Sequence, residues 1–480
     1  MKKFLLSASM ALVAGSAFAV TDGQTYEVKN GLTCENVWVI DRFHAETAYN
    51  ALPIADKKAR TACTDGKIVY VGRSTDDIGT IDKFDINTGE FLGTLALKVN
   101  AVDELGNPTV TAFSGLLCAN QVGFDEYGHM YVASMAGNAD GSGAYMVYLV
   151  DQETGMLTSV GSLDFLGATG RLDYCDVAGD LTGEQAPATI ITVPGTGTTT
   201  PCIFWWTREQ GSAEWVGGVD GLCQLDMADT YPSNQTDFGG AAVPKIIKDG
   251  TGLLNLFYVD GFNTCPAVYA NDGSMVDSFK EADLIQKDAD GNITGGKVVC
   301  PATGTNGIAE GVIGSKNILV YSEGQYDGAH TCQAIFTEVD GEYAFSSMNP
   351  YWILPADGLG QVSDGGTRVH ALDFVTLPAD ANGKQAAYLV KFKCYTGLGV
   401  YRIAEEGYQP QGGIANTTIA KANIAVNGDV ITVSEKANIA VYNVAGQKVA
   451  EAKNATEVKA PAAGLYVVKA GNTVAKVIVK

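Results

Sequence analysis

The sequence predicts an all-β fold: a β-propeller of six countable blades, with material for a seventh, followed by a small antiparallel β-sandwich. Three observations carry that expectation. A unit of four short apolar strands, separated by Gly, Asp and Asn turns, recurs through the middle of the chain. The glycines at the hairpin between its third and fourth strands, at positions 89, 155, 211, 273, 341 and 407, lie 66, 56, 62, 68 and 66 residues apart. After residue 413 the repeat stops and a short, lysine-bearing segment of alternating apolar and polar residues begins. Four strands per unit at steady spacing is the pattern of a propeller, in which each blade buries both faces against its neighbours. Stacked sandwiches also give short strands and turns, but no shared third-strand hairpin.

Residues 1–19 read as a secretory signal peptide: Lys2 and Lys3, an apolar run over 4–14, and small residues at Ala17 and Ala19, with cleavage expected after Ala19. That run is too short to span a bilayer, and no other stretch of roughly 18 apolar residues occurs, so no transmembrane segment is expected. Residues 20–410 form the expected propeller domain. Within it, residues 25–62, with the strand-like Asn36-Val-Trp-Val-Ile40, either close the ring by adding a strand to the last blade or supply most of a seventh blade. The first copy then runs through Lys67-Ile-Val-Tyr-Val-Gly-Arg73, Ile81-Asp-Lys-Phe-Asp-Ile-Asn-Thr-Gly89 and Glu90-Phe-Leu-Gly-Thr-Leu95, and the second through residues 122–163. Later copies are looser but keep the third-strand hairpin, as in Cys202-Ile-Phe-Trp-Trp-Thr-Arg-Glu-Gln-Gly211 and Cys265-Pro-Ala-Val-Tyr-Ala-Asn-Asp-Gly273. The spacing exceeds the roughly 40–50 residues of familiar blades, which implies long loops.

The net charge is −22 at pH 7, and its distribution is uneven. Residues 414–480 carry eight Lys and four acidic residues, so the propeller region is more acidic than the whole chain. Such a surface repels phosphate backbones and anionic lipid, which argues against nucleic-acid or peripheral membrane partners.

The ten cysteines fit an oxidising compartment, and within-blade bridges are expected for Cys175 with Cys202, Cys223 with Cys265, and Cys300 with Cys332, with Cys34 and Cys394 locking ring closure. No Cys-x-x-Cys or His-x-x-x-His spacing occurs, so no metal site is expected among these residues. Asp288-Ala-Asp-Gly-Asn292 has a faint calcium-loop character, but Ile293 stands where such a loop wants Gly and no distal Glu follows, so a plain turn and no cofactor is the expectation.

The order Val441-Tyr-Asn-Val-Ala-Gly-Gln-Lys448, Gly464-Leu-Tyr-Val-Val-Lys469 and Lys476-Val-Ile-Val-Lys480 closely resembles the C-terminal sorting domain read by the type IX secretion system of Bacteroidetes. The matching positions are Tyr442, Gly446, Gly464, Tyr466, Lys476 and Lys480. The resemblance implies export through the periplasm to the outer-membrane surface or the medium, with the type IX machinery as a partner of residues 414–480. The wording of residues 60–89 and 122–133 resembles propellers of Bacteroidetes surface proteins and, more distantly, NHL-like and quinoprotein-type blades. The tryptophan-docking pattern of quinoproteins is absent, so no quinone cofactor is implied.

Candidate chemistry falls into two sets. Trp205, Trp206, Trp215, Tyr351 and Trp352 form a candidate ligand platform, because exposed aromatic rings beside acidic groups stack on sugars or anchor peptides. Asp173, Asp176, Glu310 and Asp373 fall on or beside first strands, which line a propeller's central channel. The first set favours a non-enzymatic module binding a glycan or protein; the second favours a hydrolase or lyase acting on extracellular polysaccharide. The expectation is the binding module, with no catalytic residue assigned.

Overall fold

The computed structural model describes residues 19–103, 105–138, 144–164, 170–195, 201–218, 223–230, 235–280, 286–287, 293–295, 307–322, 334–339, 349–355, 359, 370–410, 424–443, 448–470 and 473–479. It divides into two compact units, one ending at Tyr408 and one formed by Gln409–Lys480. No helix among the described residues is long and apolar enough to cross a membrane.

The first unit is a six-bladed β-propeller. Blade 1 pairs Ala59–Thr64, Ile68–Thr75, Ile78–Asp85 and Phe91–Ala96 in antiparallel order from the inner strand outward. Blade 2 does the same with Gln121–Phe124, Met130–Ala133, Ala144–Val150 and Leu157–Asp164. Blade 3 uses Gly170–Gly179, Ala188–Pro194, Cys202–Arg208 and Val216–Gly217, with Cys223–Gln224 as a further short partner of its third strand. Blade 4 uses Val243–Ile247, Leu256–Gly261, Thr264–Ala270 and Met275–Ser278, and blade 5 uses Ile308–Ile313, Lys316–Ser322, Ala334–Val339 and Asn349–Leu354. Blade 6 takes three strands from the end of the unit, His370–Thr376, Ala386–Lys393 and Gly397–Glu405, and its outermost strand, Leu32–Asp41, from the beginning.

Of the two arrangements open for residues 25–62, ring closure is therefore the one that forms. The stretch splits between the outer strand of blade 6 and the inner strand of blade 1, and no seventh blade arises. Trp38 clips the closure in place: its indole N–H donates to the Ile86 carbonyl at 2.9 Å, so the last blade's outer strand is held by the first blade.

Because both faces of a blade meet neighbours, its middle strands are buried on both sides and mostly apolar. Every residue of Ala188–Pro194 and of Ala386–Lys393 is buried. Six apolar layers fill the six gaps between blades. Tyr131, Tyr145 and Val147 of blade 2 pack on Ile190, Phe204 and Trp206 of blade 3, for example, and Val320 and Leu354 of blade 5 pack on Leu389 and Tyr401 of blade 6. The hairpins that set the repeat are locally encoded. In Asp85-Ile-Asn-Thr-Gly89 the Asp85 carboxylate accepts the backbone N–H groups of Asn87 and Thr88, and Asp151 does the same for Glu153 and Thr154. Gly155 closes its turn at φ +74°, and a Cβ there would lie 2.1 Å from the Ala96 carbonyl oxygen, so only glycine fits.

The second unit is a small antiparallel five-stranded β unit built on one long strand, Val430–Asn443, which pairs with Ile424–Asn427, Lys448–Lys459 and Gly464–Ala470 along different parts of its length, while Thr473–Val479 extends the sheet beyond Gly464–Ala470. Ile431, Ile439, Val441, Val468 and Val479 form its core. Tyr466 is buried there and donates its hydroxyl to the Ala462 carbonyl at 2.9 Å, Gly464 opens its strand, and Tyr442 and Lys476 sit in strands. Gly446, Lys480 and Ala17 lie outside the described residues.

The expected disulfides need correction. Cys34, Cys175, Cys202, Cys223 and Cys394 are free thiols, as are Cys63 and Cys118. Cys175 and Cys202 sit on strands separated by Ala188–Pro194, which puts them about 10 Å apart, beyond the reach of an S–S bond. Cys34 pairs with Ile403 near one end of the Gly397–Glu405 strand, whereas Cys394 precedes its other end, so the two cannot lock the ring. Cys223 faces Ile203 in blade 3 rather than bonding to Cys265; Cys265 is disulfide-bonded, and Cys300 and Cys332 lie outside the described residues, as do residues 288–292.

Candidate functional site

The six inner strands surround a cavity of about 640 Å³ at the centre of the ring. Each contributes a polar side chain: Thr64 from blade 1, Gln121 from blade 2, Asp176 from blade 3, Lys245 from blade 4, Glu310 from blade 5 and Asp373 from blade 6. The inner strands stand nearest the axis, so their side chains are its natural lining; that of blade 3 also pairs, over Gly170–Leu172, with the short strand Ala136–Asn138.

Most of these groups stitch adjacent blades together. The Gln121 amide accepts the Cys175 N–H and donates to the Cys175 carbonyl, both at 2.6 Å, joining blade 2 to blade 3. Asp176 accepts the Ile246 N–H at 2.8 Å and receives the Lys245 ammonium at 3.2 Å, joining blade 3 to blade 4. Asp373 accepts the Thr64 N–H at 2.8 Å, joining blade 6 to blade 1. Glu310 differs: among the described residues its carboxyl accepts no hydrogen bond, and the Lys248 ammonium likewise makes none.

The electrostatics follow from that layout. Burial pulls the Lys245 ammonium down, but the surrounding Asp176, Asp373 and Glu310 outweigh it and hold it above its ordinary value. Burial pushes Glu310 up to about 7, with Lys248 and Lys245 opposing and Asp176 and Glu126 adding to the rise. Burial also raises Asp373, against Lys245 and the Thr64 bond. Two thiols line the wall; burial pushes Cys175 up to about 12 and Cys63 well above the ordinary range, so both are unreactive neutral groups.

Of the four carboxylates expected at the axis, Asp176, Glu310 and Asp373 meet there. Asp173 does not. It lies in the irregular stretch of the strand between Leu172 and Cys175 and does not line the cavity; its carboxylate pairs with Arg171 at 2.7 Å and accepts the Ala241 N–H at 3.1 Å. Sequence reading missed Lys245, Lys248 and Gln121. A lysine inside the apolar run Ala242-Val-Pro-Lys-Ile-Ile247 was the available signal, since a buried lysine needs a carboxylate partner.

The aromatic platform is not assembled. Trp206, Tyr351 and Trp352 are buried, and Trp205 is half-buried against the layer between blades 3 and 4. Trp352 donates its indole N–H to the Glu27 carbonyl at 3.0 Å. Trp215 donates to the Val160 carbonyl at 2.8 Å, with the Arg208 guanidinium 4.9 Å from its ring centre. The physical reason is the propeller itself: both faces of an outer strand are covered by neighbouring blades, so neither face of Trp205-Trp206 is left as a platform.

Among the described residues, one group has the donors of a metal site. Asp125, His129 and Asp180 offer ligand atoms within 4.8 Å of one another at the end of blades 2 and 3. Here the His129 Nδ1 lies 2.9 Å from Asp125 and 3.3 Å from Asp180, and Asp125 also accepts the Leu181 N–H at 2.9 Å, so the group is a hydrogen-bonded clasp between blades.

No family model matches this chain, and no curated protein matches it. Among solved structures, the chain is similar to a DUF4623 family protein from Bacteroides eggerthii, with TM-score 0.49, 13% identity and 80% of this chain covered against 77% of that one. It is similar to a subtype N11 neuraminidase-like protein of a flat-faced bat isolate from Peru, with TM-score 0.36, 13% identity and coverage of 82% and 98%. It is also similar to a GH43_1 enzyme from Xanthomonas citri complexed with xylose, with TM-score 0.30, 8% identity and coverage of 64% and 86%.

Proposed function

We propose that this chain is an exported β-propeller that receives a glycan in its central channel, with Glu310 as the group that meets it. One observation carries the reading: in a ring where Gln121, Asp176 and Asp373 are spent on joining blades, Glu310 lines a cavity large enough for a sugar and its carboxyl accepts no hydrogen bond among the described residues. A cavity of this size, polar at a few points and lined elsewhere by Phe124, Tyr131 and Phe374, suits a ligand with hydroxyl edges and apolar faces. The test is a glycan array probed with the full chain and with Glu310→Gln. Binding that drops at least about tenfold in the variant, with unchanged melting behaviour, supports the reading; binding unaffected by the change refutes it.

A second reading, hydrolysis or lysis of a polysaccharide, is favoured by the titration of Glu310 near neutrality, where a carboxyl serves as general acid or base. Release of reducing ends from a polysaccharide panel, abolished in Glu310→Gln, separates it from simple binding.

The second unit is proposed as the sorting signal for type IX export. A chain ending at residue 413 is expected to accumulate in the periplasm; its appearance in the medium at the full-length level refutes this.

A further inference from the structure

We infer that the channel selects its glycan by charge, admitting uncharged sugars and rejecting sugars that carry carboxylates. The inference rests on the glycan reading above. Six carboxylates line the cavity, from Asp65, Asp125, Glu126, Asp176, Glu310 and Asp373, against two lysines, Lys245 and Lys248. The lysines do not offset them. Lys245 is held by Asp176 at 3.2 Å and is surrounded by Asp373 and Glu310, which leaves Lys248 as the one uncommitted ammonium of the lining, among the described residues, against the carboxylates. A uronate or sialate entering here brings a negative charge into an enclosed space that already carries an excess of them, where repulsion is weakly screened.

An uncharged sugar meets the opposite situation. Its hydroxyls donate to the Glu310 carboxylate, which accepts no hydrogen bond among the described residues. Its ring face packs on Phe124, which stands 5.5 Å from Tyr70 on the neighbouring blade. The wall therefore supplies acceptors and an apolar face, which is the complement of a polyol and not of an acid.

Calorimetry on the full chain tests this with matched probes: neutral oligohexoses and the corresponding oligouronates, each at about 50 mM and 500 mM salt. The neutral probe is expected to bind at least about tenfold tighter, with the gap narrowing at high salt and below pH 7. The double variant Glu310→Gln, Asp373→Asn, checked for unchanged melting, is expected to bind the uronate at least about threefold tighter than the parent chain does, whatever it loses toward the neutral probe. Tighter binding of the uronate overturns the charge rule while leaving the glycan reading intact. A gap that ignores salt, pH and the double variant assigns selection to shape and also overturns it. Binding of neither probe set removes both the rule and the glycan reading.

Discussion

The inner and outer strands of the same blades hold the residue types that usually announce a binding site, yet they use them in opposite ways. On the outer strands, Trp206 and Trp352 are consumed by packing between blades. On the inner strands, Asp176, Lys245, Glu310 and Asp373 meet around an open cavity. Radial position, and not residue chemistry, decides whether a side chain is consumed between blades or reaches the cavity in this ring. Tryptophan looks like a ligand platform in any sequence, but a propeller leaves solvent only at its axis and rims. The comparison breaks if outer-strand substitutions change ligand binding, and it sharpens if inner-strand substitutions change binding at little cost in stability.

The largest expected effect lies at the closure. Trp38→Ala removes a fully packed indole and its bond to Ile86, and loosens the strand that joins the last blade to the first. A loss of about 3–5 kcal/mol is expected, read as a lowered urea midpoint. A shift below about 1 kcal/mol would mean that closure does not depend on this contact.

Within the cavity, the stitched and unstitched carboxylates should part company. Asp176→Ala leaves Lys245 without its ion-pair partner and the Ile246 N–H without its acceptor, at a cost of about 2–4 kcal/mol. Glu310→Gln removes no hydrogen bond among the described residues and should change stability at pH 7 by no more than about 1 kcal/mol, while carrying the larger effect on ligand binding. Equal destabilisation by the two changes would place Glu310 among the structural groups.

How far the sequence foretold this arrangement depended on how local each signal was. The Asp85 to Gly89 hairpin was legible because its carboxylate, its two N–H donors and its glycine lie within five residues. The inner-strand position of Asp176, Glu310 and Asp373 followed from counting strands within each unit. Their separate roles did not, since whether a carboxylate is spent on a neighbour's backbone depends on residues about 70 to 310 positions away, as with Ile246 for Asp176 and Thr64 for Asp373. Lys245 was missed for the same reason. The pairings of Cys175 with Cys202, Cys223 with Cys265 and Cys34 with Cys394 failed because recurrence in the repeat does not bring two thiols together: Cys175 and Cys202, for example, are held apart by the strand between them.

The pH dependence offers a finer division between the two kinds of carboxylate. Glu310 titrates near 7 in the folded chain and near 4.3 when unfolded, so between these values the folded state holds the extra proton. Its contribution to stability is therefore present below about pH 4, falls as pH rises toward about 7, and is flat above. Thermal melts of the parent chain and Glu310→Gln should diverge progressively in favour of the variant over that window, by an amount on the order of 1 kcal/mol after solvent screening. Parallel curves would show that the carboxyl is better solvated than its position implies.

The smallest expected effect is the most direct check on the outer strands. Trp215→Phe keeps an aromatic face for the Arg208 guanidinium but deletes the donor to Val160, a single bond between the fourth strand regions of blades 3 and 2. That bond is worth about 1 kcal/mol of stability. Any ligand held by Glu310 at the axis should bind the variant within about twofold of the parent, because Trp215 lies with the outer strands and lines no part of the cavity. A tenfold loss of affinity at unchanged stability would return the ligand to the outer edge, and the division between packing aromatics and axial carboxylates would have to be abandoned.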